Sequence, residues 1–369
     1  MEKGLALKRS AQDLWKKKPL IISGPCSAET REQVLEAATN LAATGQVDLF
    51  RAGIWKPRTR PGSFEGIGEA ALEWLQEVKE ITGLPISIEI ANSRQVELAL
   101  KAGIDVLWLG ARTTVNPFSV QDVADALKGI DIPVFIKNPM NADIELWTGA
   151  VERVEKAGVK QIGLIHRGFA SYGNTEFRNA PMWHLAIEMK RRYQHLPFLN
   201  DPSHISGRRD GLLKIAQRAI DLDFDGLMIE SHPHPDAAWT DAAQQINAGQ
   251  LSELLNAIVW RKDDTQSPDY HQALEQLRNR IDGLDDEIMQ LLGQRMKLAE
   301  KIAASKKAHG ITILQTARWN WILSRLKTEG EKLGLNEEFI RQFLDAVHME
   351  SIAHQTKVFS SDDPEFKAQ

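Results

Sequence analysis

The chain has 369 residues, 43% hydrophobic and 26% charged, the composition of an ordinary globular protein of about two domains. Its net charge of −5, with both signs interspersed, argues against nucleic acid or an anionic membrane as a partner. No apolar run approaches the roughly 18 residues of a membrane helix, the basic N-terminus lacks the apolar core of a secretory signal, and the single cysteine, Cys26, excludes an intrachain disulfide, so a soluble protein of the reducing cytoplasm is expected.

From Pro19 to Trp260, short apolar runs alternate with longer amphipathic segments. The runs Leu20–Ser23, Asp48–Ile54, Ile86–Ile90, Val106–Gly110, Val134–Asn138, Ile162–His166, Phe198–Asp201 and Leu227–Glu230 predict eight strands. The spacing between them predicts helices, among them Glu69–Thr82, Arg94–Ala102, Val120–Leu127, Leu146–Ala157, Ala180–Gln194 and Leu212–Leu222. Thr82-Gly83, Ala102-Gly103 and Ala157-Gly158 are glycine stops of the kind that end helices. Strands alternating with helices imply parallel βαβ units, and eight units in about 240 residues fit a closed (β/α)8 TIM barrel. A doubly wound open sheet is the alternative.

Residues 261–270 are polar, charged and interrupted by Pro268, and read as a linker between a barrel over 1–260 and a helical domain over 271–359. In the second part Leu277, Ile281, Leu284, Ile288, Leu291 and Leu298 form an apolar stripe at helical steps, predicting a first helix of more than roughly 30 residues. A second helix is predicted over Gln315–Lys332 and a third from Asn336 to near Val358, with a disordered tail over 360–369. Three helices, one very long, cannot bury that stripe within one chain, so a homodimer or higher homo-oligomer through this domain is expected.

Enzymes built on such barrels place their chemistry at the C-terminal ends of the strands. Cys26, His204, Glu230 and Asp241 fall at or just beyond those ends and make a credible divalent-metal site. Thiolate and imidazole suit zinc or iron and the carboxylates suit manganese. Mn2+ is the first expectation, with Zn2+, Fe2+ and Co2+ as alternatives. Lys56, Arg58, Arg112, Lys137 and Arg167, with Arg208 and Arg209 nearby, crowd cations at the same mouth and point to a phosphorylated, carboxylated substrate. His232 and His234 sit in a proline-marked loop and are read as loop residues rather than ligands.

These segments, GPCS (Gly24–Ser27), KPRT (Lys56–Thr59), GAR (Gly110–Arg112), HRG (His166–Gly168), DPSH (Asp201–His204) and Glu230–Pro233, resemble in order the 3-deoxy-D-arabino-heptulosonate 7-phosphate (DAHP) synthases, in the subgroup related to 3-deoxy-octulosonate 8-phosphate synthase. The resemblance covers about residues 19–260 and implies condensation of phosphoenolpyruvate with erythrose 4-phosphate, helped by a divalent metal on Cys26, His204, Glu230 and Asp241. It also implies that Arg112, Lys137 and Arg167 bind phosphoenolpyruvate. Arg58 and Thr59, with Lys56, would shape the erythrose phosphate pocket, and Asp201 would bond a sugar hydroxyl. The KPRT tetrapeptide favours DAHP over the octulosonate product, which stays as an alternative.

Residues 274–358 resemble the all-helical chorismate mutases, through Leu277–Asp282, Leu291–Arg295, Lys306, Arg318, Ser351 and Gln355. That likeness implies that Arg278 reaches in from a partner chain and that Arg295 and Arg318 bind the carboxylates of chorismate. Lys306 and Gln355 would bond its ether oxygen, while Ser351 and Gln315 help hold it. Gln315 stands where many relatives carry an acidic residue, so weakened turnover to prephenate is expected. The whole reads as a bifunctional enzyme of aromatic amino acid synthesis. Only about 18 residues precede the first strand, too few for a regulatory domain. Feedback by prephenate or chorismate is therefore expected to reach the barrel through the helical domain, and a purely sensing, dimerising helical domain is the rival reading.

Overall fold

Eight short parallel strands run through the first unit: β1 (Leu20–Gly24), β2 (Leu49–Arg51), β3 (Ile86–Ile90), β4 (Val106–Leu109), β5 (Val134–Lys137), β6 (Ile162–His166), β7 (Phe198–Asn200) and β8 (Gly226–Glu230). They pair in chain order, and β8 returns to β1, so the sheet closes into a barrel and the open-sheet alternative falls. The molecule is described here by a computed structural model covering residues 15, 17–58, 61–173, 176–262 and 264–361. Thr59 lies outside those residues, as do positions 362–369 of the tail. The chain divides into two units, Met1–Asp263 and Asp264–Gln369.

Side chains alternate across each strand, as the pleat requires. Leu20, Ile22, Trp108, Phe135, Leu199 and Met228 point into the barrel and fill it, whereas Ile21, Phe50, Leu107 and Ile136 pack outward beneath the helices. The outer ring is α1 (Arg31–Ala43), α2 (Ala71–Thr82), α3 (Ser93–Lys101), α4 (Pro117–Ala126), α5 (Ile144–Lys156), α6 (Trp183–Arg192), α7 (Leu212–Asp221) and α8 (Ala248–Ala257). Several begin where a short polar side chain satisfies a free backbone N–H. Thr30 accepts from Gln33, Asn92 from Gln95 and Asp143 from Glu145, and Asn247 forms a capping box with Gln250. The stop expected at Thr82-Gly83 is a left-handed C-cap at Gly83.

β2 is shorter than the run Asp48–Ile54 predicts. After Arg51 the chain leaves the sheet and binds the loop after β1 instead, with Ala28 N–H donating to the Gly53 carbonyl at 2.9 Å. Gly24, at φ +151°, makes the complementary approach possible, because a Cβ there would lie 2.0 Å from the Arg51 carbonyl oxygen. The two loops that carry Cys26 and Lys56 are thereby pressed together.

The second unit holds three helices: α9 (Pro268–Ala308), α10 (Thr316–Lys332) and α11 (Glu337–Ser360). Ser267 caps α9 by accepting from Tyr270 N–H, and Pro268 occupies its first turn, so the helix begins inside the stretch read as linker. α11 continues through Ser360, where the tail was expected to start. At 41 residues, α9 spans about 60 Å. Only its C-terminal half is covered, where Met296, Ala299 and Ala303 are buried. Leu277, Leu284 and Leu291 remain 55%, 58% and 62% exposed, so half of the apolar stripe has no cover among the described residues.

Candidate active sites

In the barrel, the register that pairs Gly24 with Glu230 puts the first and last loops side by side. Cys26 Sγ and carboxylate oxygens of Glu230 and Asp241 all lie within 4.8 Å of one another. His204 flanks them, with Nε2 3.7 Å from Glu230 Oε1. Its Nδ1 meets Asp201 Oδ2 at 2.8 Å, and its backbone N–H donates to Asp201 Oδ1 at 3.0 Å. With Nδ1–H donating, Nε2 carries the lone pair and faces Glu230. Burial, outweighing the Asp201 and Glu230 charges, holds His204 below its ordinary pKa.

The electrostatics explain how so much charge stays buried. Burial alone would raise the Glu230 carboxyl, but the neighbouring His204 and Arg51 outweigh it and hold it low. Arg51, fully buried at the end of β2, sits 3.2 Å from Glu230 Oε1 and over the Trp108 ring at 5.1 Å. Asp201 is likewise held well below the usual range, burial being overcome by His204 and by Lys137, whose Nζ is 2.8 Å from Oδ2. The Cys26 thiol goes the other way. Burial first and the Glu230 charge second push it up to about 12, although Lys56 Nζ stands 2.9 Å from the sulfur.

This donor set fits a divalent cation. Glu230 Oε1 is buried and accepts no hydrogen bond among the described residues, and it faces the lone pair of His204 Nε2. A soft sulfur and two carboxylates around one point, with an imidazole flanking one of the carboxylates, suit such an ion.

The cations expected at this mouth divide. Lys137 and Arg167 are buried at the ends of β5 and β6. Arg167 is lowered to about 10 by burial first, with Arg112 among the charges acting on it, and stays protonated at neutral pH. Its Nη1 donates to Asn179 at 2.8 Å. Arg112 is exposed on the helical turn after β4, and Arg58 is half-buried with Nε donating to the Phe64 carbonyl. Arg208 instead pairs with Asp210, and Arg209 ties down the Asp236–Gln245 loop, so those two serve the loops rather than the mouth. Sequence reasoning missed Arg51 and Arg178, the latter 2.9 Å from Asp241. Arg51 was hidden inside an apolar run, and Arg178 lies in a stretch without periodicity.

In the helical unit, Arg295 Nη1 donates to Ser351 Oγ at 3.2 Å and Lys306 Nζ approaches Gln355 Oε1 at 3.5 Å. Ser351 and Gln355 are buried one turn apart on α11. Burial lowers both Arg295 and Lys306. Gln315 stands at the N-cap of α10, and Arg318, one turn on, lies over the Trp321 ring at 4.3 Å. Arg278 is exposed, about 25 Å back along α9 from Arg295, so the two do not meet within one chain.

Comparison with known proteins finds a family for each unit. Residues 15–267 match the family model for the DAHP synthetase I family, and residues 277–356 match that for chorismate mutase type II. The chain is 32% identical over 238 residues to the phospho-2-dehydro-3-deoxyheptonate aldolase of Thermotoga maritima, covering 64% of this chain and 68% of that one. It is 26% identical to the 2-dehydro-3-deoxyphosphooctonate aldolase of Desulfotalea psychrophila, covering 65% and 88%. A crystal structure of the Thermotoga maritima DAHP synthase superposes with a TM-score of 0.58 at 32% identity, over 64% of this chain and 67% of that one. The chain belongs to the DAHP synthetase I family and carries a type II chorismate mutase domain behind its barrel.

Proposed function

We propose that the barrel condenses phosphoenolpyruvate with erythrose 4-phosphate to DAHP and phosphate, and that the helical unit rearranges chorismate to prephenate. The observation that carries the first half is the convergence of Cys26, Glu230 and Asp241 beside the buried cations Lys137 and Arg167. Cys26, His204, Glu230 and Asp241 would hold a divalent ion, Mn2+ first among the candidates. Such an ion supplies Lewis acidity at an aldehyde oxygen. Lys137, Arg167 and Arg112 bind the phosphate and carboxylate of phosphoenolpyruvate, as planar and point cations do. Arg58, Thr59 and Lys56 hold the aldose phosphate, and Asp201 orients a sugar hydroxyl while pairing with Lys137. Carbon 3 of phosphoenolpyruvate attacks the aldehyde carbon, water adds at carbon 2, and phosphate leaves. Product formation from these two substrates, lost with a chelator and restored by Mn2+, tests the reading. Faster turnover of a five-carbon aldose phosphate would move the barrel to the octulosonate alternative, to which the 25–27% identical relatives belong.

The mutase half needs no cofactor, because a pericyclic step requires only a held conformer and donors aimed at developing charge. Arg295 and Arg318 take the carboxylates, Lys306 and Gln355 the ether oxygen, and Ser351 and Gln315 the rest of the substrate. Arg278 comes from a second copy. The uncovered stripe on α9 and the distance from Arg278 to Arg295 support a homodimer. Prephenate or chorismate bound there would restrain the barrel. A chain ended at Lys262 should lose that inhibition, and undiminished sensitivity would end the idea. The single cysteine, and the absence among the described residues of a helix long and apolar enough to cross a membrane, support a cytoplasmic setting.

A further inference from the structure

Behind the barrel's ligand cluster lies a second buried polar group that neither reaction uses. Glu29, at the end of the loop after β1, is 5% exposed, and His232, in the loop after β8, is 4% exposed. Glu29 Oε1 accepts from Ser27 Oγ at 3.1 Å and from Trp239 N–H at 2.8 Å. Ser27 Oγ also lies 2.6 Å from Thr240 Oγ1. Each hydroxyl has one proton, so Thr240 donates to Ser27 and Ser27 to Glu29. The other carboxylate oxygen, Oε2, faces His232 Nε2 at 3.4 Å. His232 Nδ1 accepts from His234 N–H at 3.0 Å, which places the proton of the neutral ring on Nε2, pointing at Glu29. The approach is a close polar contact rather than a formed hydrogen bond, and that Nε2 has no hydrogen-bond partner among the described residues.

Each of these neighbours of Glu29 is tied to a candidate ligand. Ser27 follows Cys26, His232 stands two residues after Glu230, and Trp239 and Thr240 lead into Asp241. Asp241 gains from holding, because its φ of +52° lies in the left-handed region, which costs any residue but glycine even though Asp tolerates it better than most. We propose that Glu29, through Ser27, Thr240, Trp239 and His232, is the positioning residue that sets the spacing of Cys26, Glu230 and Asp241 for a divalent cation. The inference rests on the metal reading of the barrel site. Outer partners of this kind hold a site's geometry and, when removed, cost ten- to a hundredfold in metal affinity.

The test is isothermal titration of the metal-free full-length chain with Mn2+, comparing Glu29→Gln, His232→Leu and His232→Gln. An amide at position 29 offers one acceptor oxygen and turns an N–H towards His232 Nε2–H, so the Mn2+ Kd of Glu29→Gln should rise at least tenfold. His232→Leu should weaken binding similarly, whereas His232→Gln, which keeps an N–H donor, should stay within about threefold of the parent. A purely structural pair would lower the barrel's melting temperature and leave the Kd of the folded protein unchanged. An unchanged Kd in folded Glu29→Gln therefore overturns the proposal. If that variant does not fold, equal Kd values for His232→Leu and His232→Gln overturn it. A parent chain that binds no divalent cation refutes the metal reading itself, a result distinct from either.

Discussion

Asp201 holds His204 at two of its nitrogens, accepting the backbone N–H at Oδ1 and the ring Nδ1–H at Oδ2. The ring cannot turn or change tautomer without breaking a buried charge-assisted bond, and the lone pair of Nε2 stays aimed at Glu230. Asp201→Leu should weaken Mn2+ binding by at least tenfold and leave Lys137 without its partner. The measurement is the Mn2+ Kd together with the KM for phosphoenolpyruvate. Unchanged values would detach Asp201 from both.

Cys26→Ala removes the one soft ligand. DAHP synthesis should fall at least a hundredfold and lose its response to added Mn2+, while chorismate turnover in the same preparation stays at the parent level. An active, metal-responsive Cys26→Ala barrel would return the residue to the core.

Arg318→Ala should lower kcat/KM for chorismate by about a hundredfold or more, the scale for losing a charged donor to the reacting molecule. DAHP synthesis at saturating substrates should be unaffected. Full mutase activity in this variant would refute the pocket as drawn.

Complementation tests the shared site. Arg278→Ala and Arg295→Ala chains should each be inactive as mutases. Refolded together in equal amounts, they should recover about a quarter of the parent activity, since half the dimers are mixed and half the sites in those are intact. No recovery would mean that Arg278 does not act on the partner chain's site.

His166 is buried beneath the mouth, its Nε2 donating to the Pro181 carbonyl at 2.6 Å and its Nδ1 3.1 Å from Asn200 Nδ2. Burial pushes its pKa from 6.5 down to about 4. The folded barrel therefore keeps the ring neutral while the unfolded chain protonates below pH 6.5. This contribution is whole above that pH and is lost as pH falls towards 4, amounting to about 3 kcal/mol at most. Urea unfolding of the barrel at pH 7 and pH 5 should show the loss, and His166→Gln should lessen it. An identical pH slope in the variant would assign the effect elsewhere.

Much of the barrel was legible because parallel strands buried on both faces read as apolar runs, and their order alone sets which residues share a mouth. That reasoning reached Cys26, Glu230 and Asp241, which the structure brings within 4.8 Å of one another. It did not reach Arg51, which counts as one polar letter in a strand until its partner Glu230 arrives from the far end of the chain. Nor did it separate Arg209 from Arg167, because a cation near a strand end looks the same whether it faces the mouth or staples a loop. The short β2 and the carboxylate of Glu29 were equally hidden, since both depend on contacts between loops.

The pairing of Gly24 with Glu230 has a consequence for how the chain matures. Cys26 belongs to the first strand's loop and Glu230 to the last strand, so no shortened barrel contains both halves of the cluster. A nascent chain must finish and close its eighth strand before the three ligand atoms meet. Uptake of an ion at that point would therefore report completion of the barrel, and a protein lacking its last strand would be blank to it however well its other seven were formed.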